Sequence, residues 1–159
     1  MSNATVSAQK GNFDFTFSLA MQFIDVCPDA IWRVNFGGWP VWQQLYHGIA
    51  AINYFILDAD VQGNAGPCPA GGTLSAVAAC AAPAKADMKT YANAIKASAD
   101  AWIGKLNDAA LPQKHEGASS RMQRDMSNAG IMVLLTGHLL YHLGSCDAAL
   151  RQHGLKGVF

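Results

Sequence analysis

The chain has 159 residues, of which 51% are hydrophobic and only 14% charged, a composition that excludes a disordered tail and suits one domain with a sizeable core. Its 11 basic and 11 acidic residues cancel, so nothing steers it towards nucleic acid or an anionic membrane surface. Glu116 is the only glutamate, which leaves almost no material for a glutamate general base or a carboxylate cage around two metals.

Residues 1–12 are small, polar and aperiodic and read as a flexible lead-in to a single domain over 13–159. Over 13–27, Phe17, Ala20, Met21 and Ile24 recur at helical spacing. Pro28 and Asp29 interrupt, and 30–36 reads as a second short helix. Gly37-Gly38-Trp39-Pro40 is then a break that sets Pro40 in the first turn of the next helix. That helix, 40–60, carries Trp42, Leu45, Ile49, Ile52 and Ile56 on one stripe. Gln43, His47, Ala50, Ala51 and Tyr54 share a neighbouring face, and Gly48, Ala50 and Ala51 leave room beside His47. The stretch 61–84 is rich in Gly, Ala and Pro, with one short helix expected over 73–82. Connections of that length in compact domains usually serve function or motion.

A third long helix spans 85–109, with Met88, Tyr91, Ile95, Ala99, Trp102 and Leu106 on one side. A polar loop follows over 112–120. The last helix is expected from Ser119 or Ser120 to about His153, with Gly154 as its C-cap. Gly130, Gly137 and Gly144 line one edge of it and would admit a close neighbour. With no strand-like alternation and no internal repeat, the fold class is all-α: four principal helices with a long crossover between the second and third.

No stretch reaches the roughly 18 to 20 consecutive apolar residues that cross a bilayer, and the interrupted N-terminal segment does not look like a secretory leader. A cytoplasmic location is the default expectation. The cysteines Cys27, Cys68, Cys80 and Cys146 show no CxxC spacing and are then expected as thiols, mostly buried. Cys68 and Cys80 flank the Gly/Ala-rich stretch and would bridge it in an oxidising compartment. Cys146, four residues beyond His142, could border a site there.

The chemistry concentrates in the histidines. His138 and His142 lie one turn apart inside an apolar run, Ile131-Met-Val-Leu-Leu-Thr-Gly-His-Leu-Leu-Tyr-His-Leu-Gly144, and project from one helix face. A single imidazole on an apolar face is ordinarily a satisfied core residue. Two on one buried face need a shared explanation, because each ring nitrogen requires a hydrogen bond or a metal. If the helix bearing His47 packs alongside, three imidazoles converge and leave a coordination position open. Leu139 stands where a zinc-peptidase helix needs a glutamate, which excludes that class. An all-imidazole site suits zinc, nickel or iron. Three neutral ligands leave the ion its charge, to lower the pKa of a bound water or thiol. His115 and His153 read as exposed or capping residues.

Two segments, Trp42-Gln-Gln-Leu-Tyr-His47-Gly-Ile-Ala and Gly137-His138-Leu-Leu-Tyr-His142-Leu-Gly-Ser-Cys-Asp-Ala-Ala-Leu-Arg-Gln-His-Gly154, resemble the DinB/YfiT-like superfamily of four-helix proteins. In that superfamily a His on the second helix joins a His-x-x-x-His pair on the last. The resemblance implies a divalent metal, often nickel or zinc, at His47, His138 and His142, and frequently a homodimer. It also implies, for several branches, a transferase or isomerase that uses bacillithiol, mycothiol or glutathione on a small-molecule substrate. The residues 61–84 and 112–128 match no particular branch, and fold does not fix reaction.

Two functional readings follow. In the first, the protein is a metal- and thiol-dependent transferase, or a metal-dependent hydrolase, acting on a small electrophile. Tyr54 and Tyr141 are then the nearest candidates for proton donors, although an aromatic in a helix interface is the simpler role for each. Arg33, Arg121, Arg124 or Arg151 would be available to meet a carboxylate. In the second, it is a non-catalytic metal-binding or stress-response protein. A bundle with no metal at all would have to satisfy each histidine separately, with few polar neighbours to do so. Neither reading involves nucleic acid or a membrane.

Overall fold

The computed structural model describes residues 3–58, 61, 63, 66–68 and 81–159. The chain is mostly helical: α1 (Ala4–Val26), α2 (Asp29–Trp32), α3 (Val41–Ile56), α4 (Lys85–Ile103), α5 (Glu116–Met122) and α6 (Asn128–Gln152), with a small hairpin, β1 (Asn35–Phe36) and β2 (Trp39–Pro40). Each of the four long helices packs on two others: α3 on α6 and α4, α1 on α6 and α4. The all-α expectation is met, and the stripe Trp42, Leu45, Ile49, Ile52 and Ile56 is buried throughout.

Several boundaries differ, each for a physical reason. Helix α1 starts at Ala4 rather than near Phe13, so most of the expected lead-in is helical. Its first turn is capped from far along the chain: the Asp108 carboxylate accepts from the backbone N–H groups of Thr5 (3.3 Å) and Val6 (3.0 Å), satisfying donors a helix start leaves open. Pro28 ends α1, since the preceding Cys27 is extended (ψ 120°).

The helix expected over 30–36 stops at Trp32, and the chain enters the antiparallel hairpin instead, pairing Asn35 with Pro40 and Phe36 with Trp39. Gly37 and Gly38 both take positive φ, 62° and 95°, which a two-residue hairpin turn of this hand requires and glycine supplies without strain. The expected 85–109 helix ends at Ile103, before Gly104, and a 3₁₀ turn occupies Asp108–Ala110.

The single last helix is in fact two. Gln123 adopts the left-handed conformation (φ 53°) after α5, and Ser127, not Ser119 or Ser120, caps α6 by accepting from the Gly130 N–H (3.2 Å). Ser119 instead accepts from the Met126 N–H (2.9 Å) and pins the loop.

The short helix expected over 73–82 falls outside the described residues as far as 80, as does Cys80. Cys68 is disulfide-bonded, unlike the thiol expected of it, whereas Cys27 and Cys146 are free and buried. Disulfides persist mainly in oxidising compartments. Helix α6 is long and apolar enough to cross a membrane by length and composition, but it packs on α1 and α3 and carries two inward histidines.

Candidate metal centre

The seam between α3 and α6 is unusually close, and one residue explains it. A Cβ on Gly48 would sit 3.2 Å from the His142 Cβ and 3.2 Å from the Leu139 Cδ1, so glycine lets α6 rest this near α3 without either neighbour giving way. The expectation that Gly137 and Gly144 admit a close neighbour is not met: a Cβ added at either would meet no packed atom within 4 Å. The small residue that matters is on the other helix.

Across this seam the three expected histidines meet. His47 from α3 and His138 and His142 from α6 each offer a ligand nitrogen, and these nitrogens all lie within 4.8 Å of one another. Ring centroids are 4.5 Å apart for His47–His142, 4.7 Å for His138–His142 and 5.1 Å for His47–His138. His142 is buried, and His47 and His138 are half-buried, so the centre is walled by protein but open to small molecules.

Protonation favours coordination. Burial, and then the neighbouring His47, hold His138 down to about 4. Burial followed by His47 and His138 do the same to His142, also to about 4. Both rings are therefore neutral at pH 7, the form that binds metal. The Nδ1 of His138 is buried with no hydrogen-bond partner among the described residues. A buried nitrogen in that state is costly unless something other than a protein donor meets it. Three converging imidazoles, two of them held neutral and one of those carrying an orphaned buried nitrogen, fit a shared divalent cation.

Two residues that sequence reasoning missed hold the triad in place. Gln44 donates its Nε2–H to the Phe36 carbonyl (2.6 Å) and accepts from His142 Nδ1 through Oε1 (3.4 Å). An amide oxygen only accepts, so His142 carries its proton on Nδ1 and keeps the Nε2 lone pair for an ion. Trp39, on β2, lies 5.2 Å from the His47 ring and stacks nearly parallel to His142 (6.4 Å, 5°). Both depend on the hairpin, and the signal for it was the Gly-Gly pair between Phe36 and Trp39.

The remaining candidates fall into place or away. Tyr54 is exposed and donates its hydroxyl to the Arg121 carbonyl (2.9 Å), so its proton is already engaged. Tyr141 is 75% exposed and touches the triad only by an edge contact with His142 (5.0 Å). Arg121 donates to the carbonyls of Tyr54 (3.3 Å), Leu57 and Asp58, and Arg151 to Asp147 and the Phe159 carbonyl. Arg33 and Arg124 are exposed. Cys146 is wholly buried, its Sγ 3.6 Å from the Val41 carbonyl, and is not one of the converging ligands. His115, expected exposed or capping, is a buried cap. His153 sets its Nδ1 2.8 Å from the Ala149 carbonyl at the end of α6.

No family model, no curated protein and no solved structure matches the chain.

Proposed function

We propose that the protein binds one divalent cation, zinc or nickel, through His47, His138 and His142 and uses it for a thiol-dependent transfer or isomerisation of a small electrophile. The scaffold on this reading is a four-helix bundle of DinB/YfiT-like kind, made by α1, α3, α4 and α6, with the crossover between α3 and α4. The observation that carries the proposal is the convergence of three imidazoles within 4.8 Å on a solvent-accessible seam. Structural zinc is ordinarily closed by four protein ligands, whereas three leave a position for an exogenous group.

When bound, the ion supplies Lewis acidity that favours thiolate over thiol at that open position. The chain's own residues do the rest. The three histidines set the ligand geometry, Gln44 fixes the tautomer of His142, and Trp39 covers the outer edge of the His47–His142 pair.

Elemental analysis of protein purified without a metal-affinity step tests the first half. About one equivalent of metal is expected, and none in a His138→Ala variant. A protein that takes up no divalent ion when supplied with zinc and nickel would overturn the reading. Calorimetry with bacillithiol, mycothiol and glutathione, in buffers of different ionisation enthalpy, tests the second half. Thiol binding should release a proton from the metal-loaded protein and not from the variant. Binding by none of the three moves the assignment to hydrolysis, with water at the open position.

A further inference from the structure

A cavity of about 400 Å³ adjoins the triad, lined by His47, Ala51, Tyr54, Phe55, Met122, Leu134 and His138. Its size lies within the range of small-molecule sites, about 300–1,000 Å³. We propose that this cavity holds the apolar body of a neutral small molecule, aromatic or short-chain, whose one electron-rich head meets the triad at His47 and His138. The inference rests on the triad being the metal centre and names the class of substrate that centre acts on.

The chemistry of the wall makes the argument. Among the described residues it presents no charged side chain. The polar side chains of its lining are His47 and His138, side by side with ring centroids 5.1 Å apart, and Tyr54, whose hydroxyl the Arg121 carbonyl already engages. The guanidinium of Arg121, which touches Tyr54, is spent on the carbonyls of Tyr54, Leu57 and Asp58. A carboxylate lodged against this wall away from the triad would find no cation there and would lose its hydration uncompensated.

An apolar ring, by contrast, meets good partners. Phe55 stands edge-on to His138 (5.5 Å, 86°), leaving the cavity bounded by aromatic surface of fixed orientation. Met122 is an unbranched thioether that adapts to a ligand's shape. Polarity at one end and apolar walls elsewhere select a molecule with the same division.

The test uses fluorine NMR with three probes: 4-fluorotoluene, 4-fluorobenzyl mercaptan and 4-fluorophenylacetate. The first should bind the metal-free protein saturably, since it needs only the apolar wall. The second should bind cobalt-loaded protein at least about tenfold more tightly than metal-free protein, because its thiol reaches the ion. In the metal-free protein the carboxylated probe should bind the cavity at least about tenfold more weakly than the neutral probes.

Leu134→Arg places a cation in the wall and should reverse the preference between the neutral and carboxylated probes. Ala51→Phe fills the space from the other helix and should weaken all three, each variant being compared at matched circular dichroism. Failure of 4-fluorotoluene to bind, a metal-free parent that prefers 4-fluorophenylacetate, or two folded variants with parental affinities would each overturn the proposal. The two readings separate cleanly. Apolar binding without cobalt uptake removes the metal centre and leaves the cavity, whereas cobalt uptake without apolar binding does the reverse.

Discussion

His115 and the triad are two solutions to one problem, a buried imidazole beside α3. His115 lies at the end of the helix, where its Nδ1 accepts from the Ala118 N–H (3.1 Å) and its Nε2–H donates to the Ile56 carbonyl (3.2 Å). Both ring nitrogens are satisfied, the tautomer is determined, and Trp102 packs against the ring at 5.8 Å. Nothing about it asks for a ligand. At the triad the same side chain is arranged so that rings face one another and the Nδ1 of His138 has no hydrogen-bond partner among the described residues. Burial alone therefore does not mark a site. What marks it is burial together with an unanswered nitrogen and like neighbours close enough to share one answer.

The sharpest way to break this comparison is to exchange the roles. His138→Ala or His142→Ala should abolish stoichiometric metal binding and leave the helical content and cooperative melt in place, because the apolar stripes hold the helices together without the ion. His115→Ala should leave about one equivalent of metal bound. Titration with a chromophoric chelator, alongside thermal melts, reads both. A melt that collapses when metal is chelated would make the triad a structural centre like that of a zinc finger.

A smaller effect is expected one step out. Gln44→Leu keeps the approximate volume of the side chain and removes both the acceptor for His142 Nδ1 and the tie to Phe36. Losses of this kind weaken metal binding by about 10- to 100-fold. The Gln44→Glu variant restores an acceptor and should recover most of that loss. Equal affinities for the parent and Gln44→Leu would show that His142 is positioned by packing alone.

The third effect is on stability. His115→Ala removes the cap of α5 and leaves the Ile56 carbonyl without its partner, a combined cost of about 1–3 kcal/mol. For a chain of this size that lowers the melting temperature by roughly 2–4 °C per kcal/mol. His115→Asn, which supplies a capping oxygen, should recover part of it.

The triad was legible in the sequence for a reason that also limits what else was. His138 and His142 share a helix face by simple periodicity, and His47 stands out in an apolar helix, so local pattern alone nominates all three. Trp39 and Gln44 act only through the hairpin, whose Gly37-Gly38 signal registers as a break until its strands are seen to pair. The start of α1 at Ala4 depends on Asp108, a long-range cap that no local window contains. The division between α5 and α6 turns on a left-handed Gln123, a conformation its residue type does not advertise. His115 is flanked by Lys114 and Glu116 and so looks solvated. Its burial follows from where the end of α3 lies.

The smallest expected effect tests why the two helices lie so close. Gly48→Ala replaces a glycine within a helix, which by propensity alone favours folding by about 1 kcal/mol. The added Cβ, however, would stand 3.2 Å from both the His142 Cβ and the Leu139 Cδ1. Leu139 can shift its terminal methyl. The His142 Cβ is fixed to the backbone of α6 and moves only if the helix moves. The propensity gain and the packing cost are thus of similar size, and thermal stability should change by less than about 1 kcal/mol. Metal affinity should nevertheless fall by roughly three- to tenfold, because a ligand set tolerates little displacement of one member. A variant that binds metal as the parent does would show that the seam can breathe at no cost to the site, and Gly48 would then be a matter of packing only.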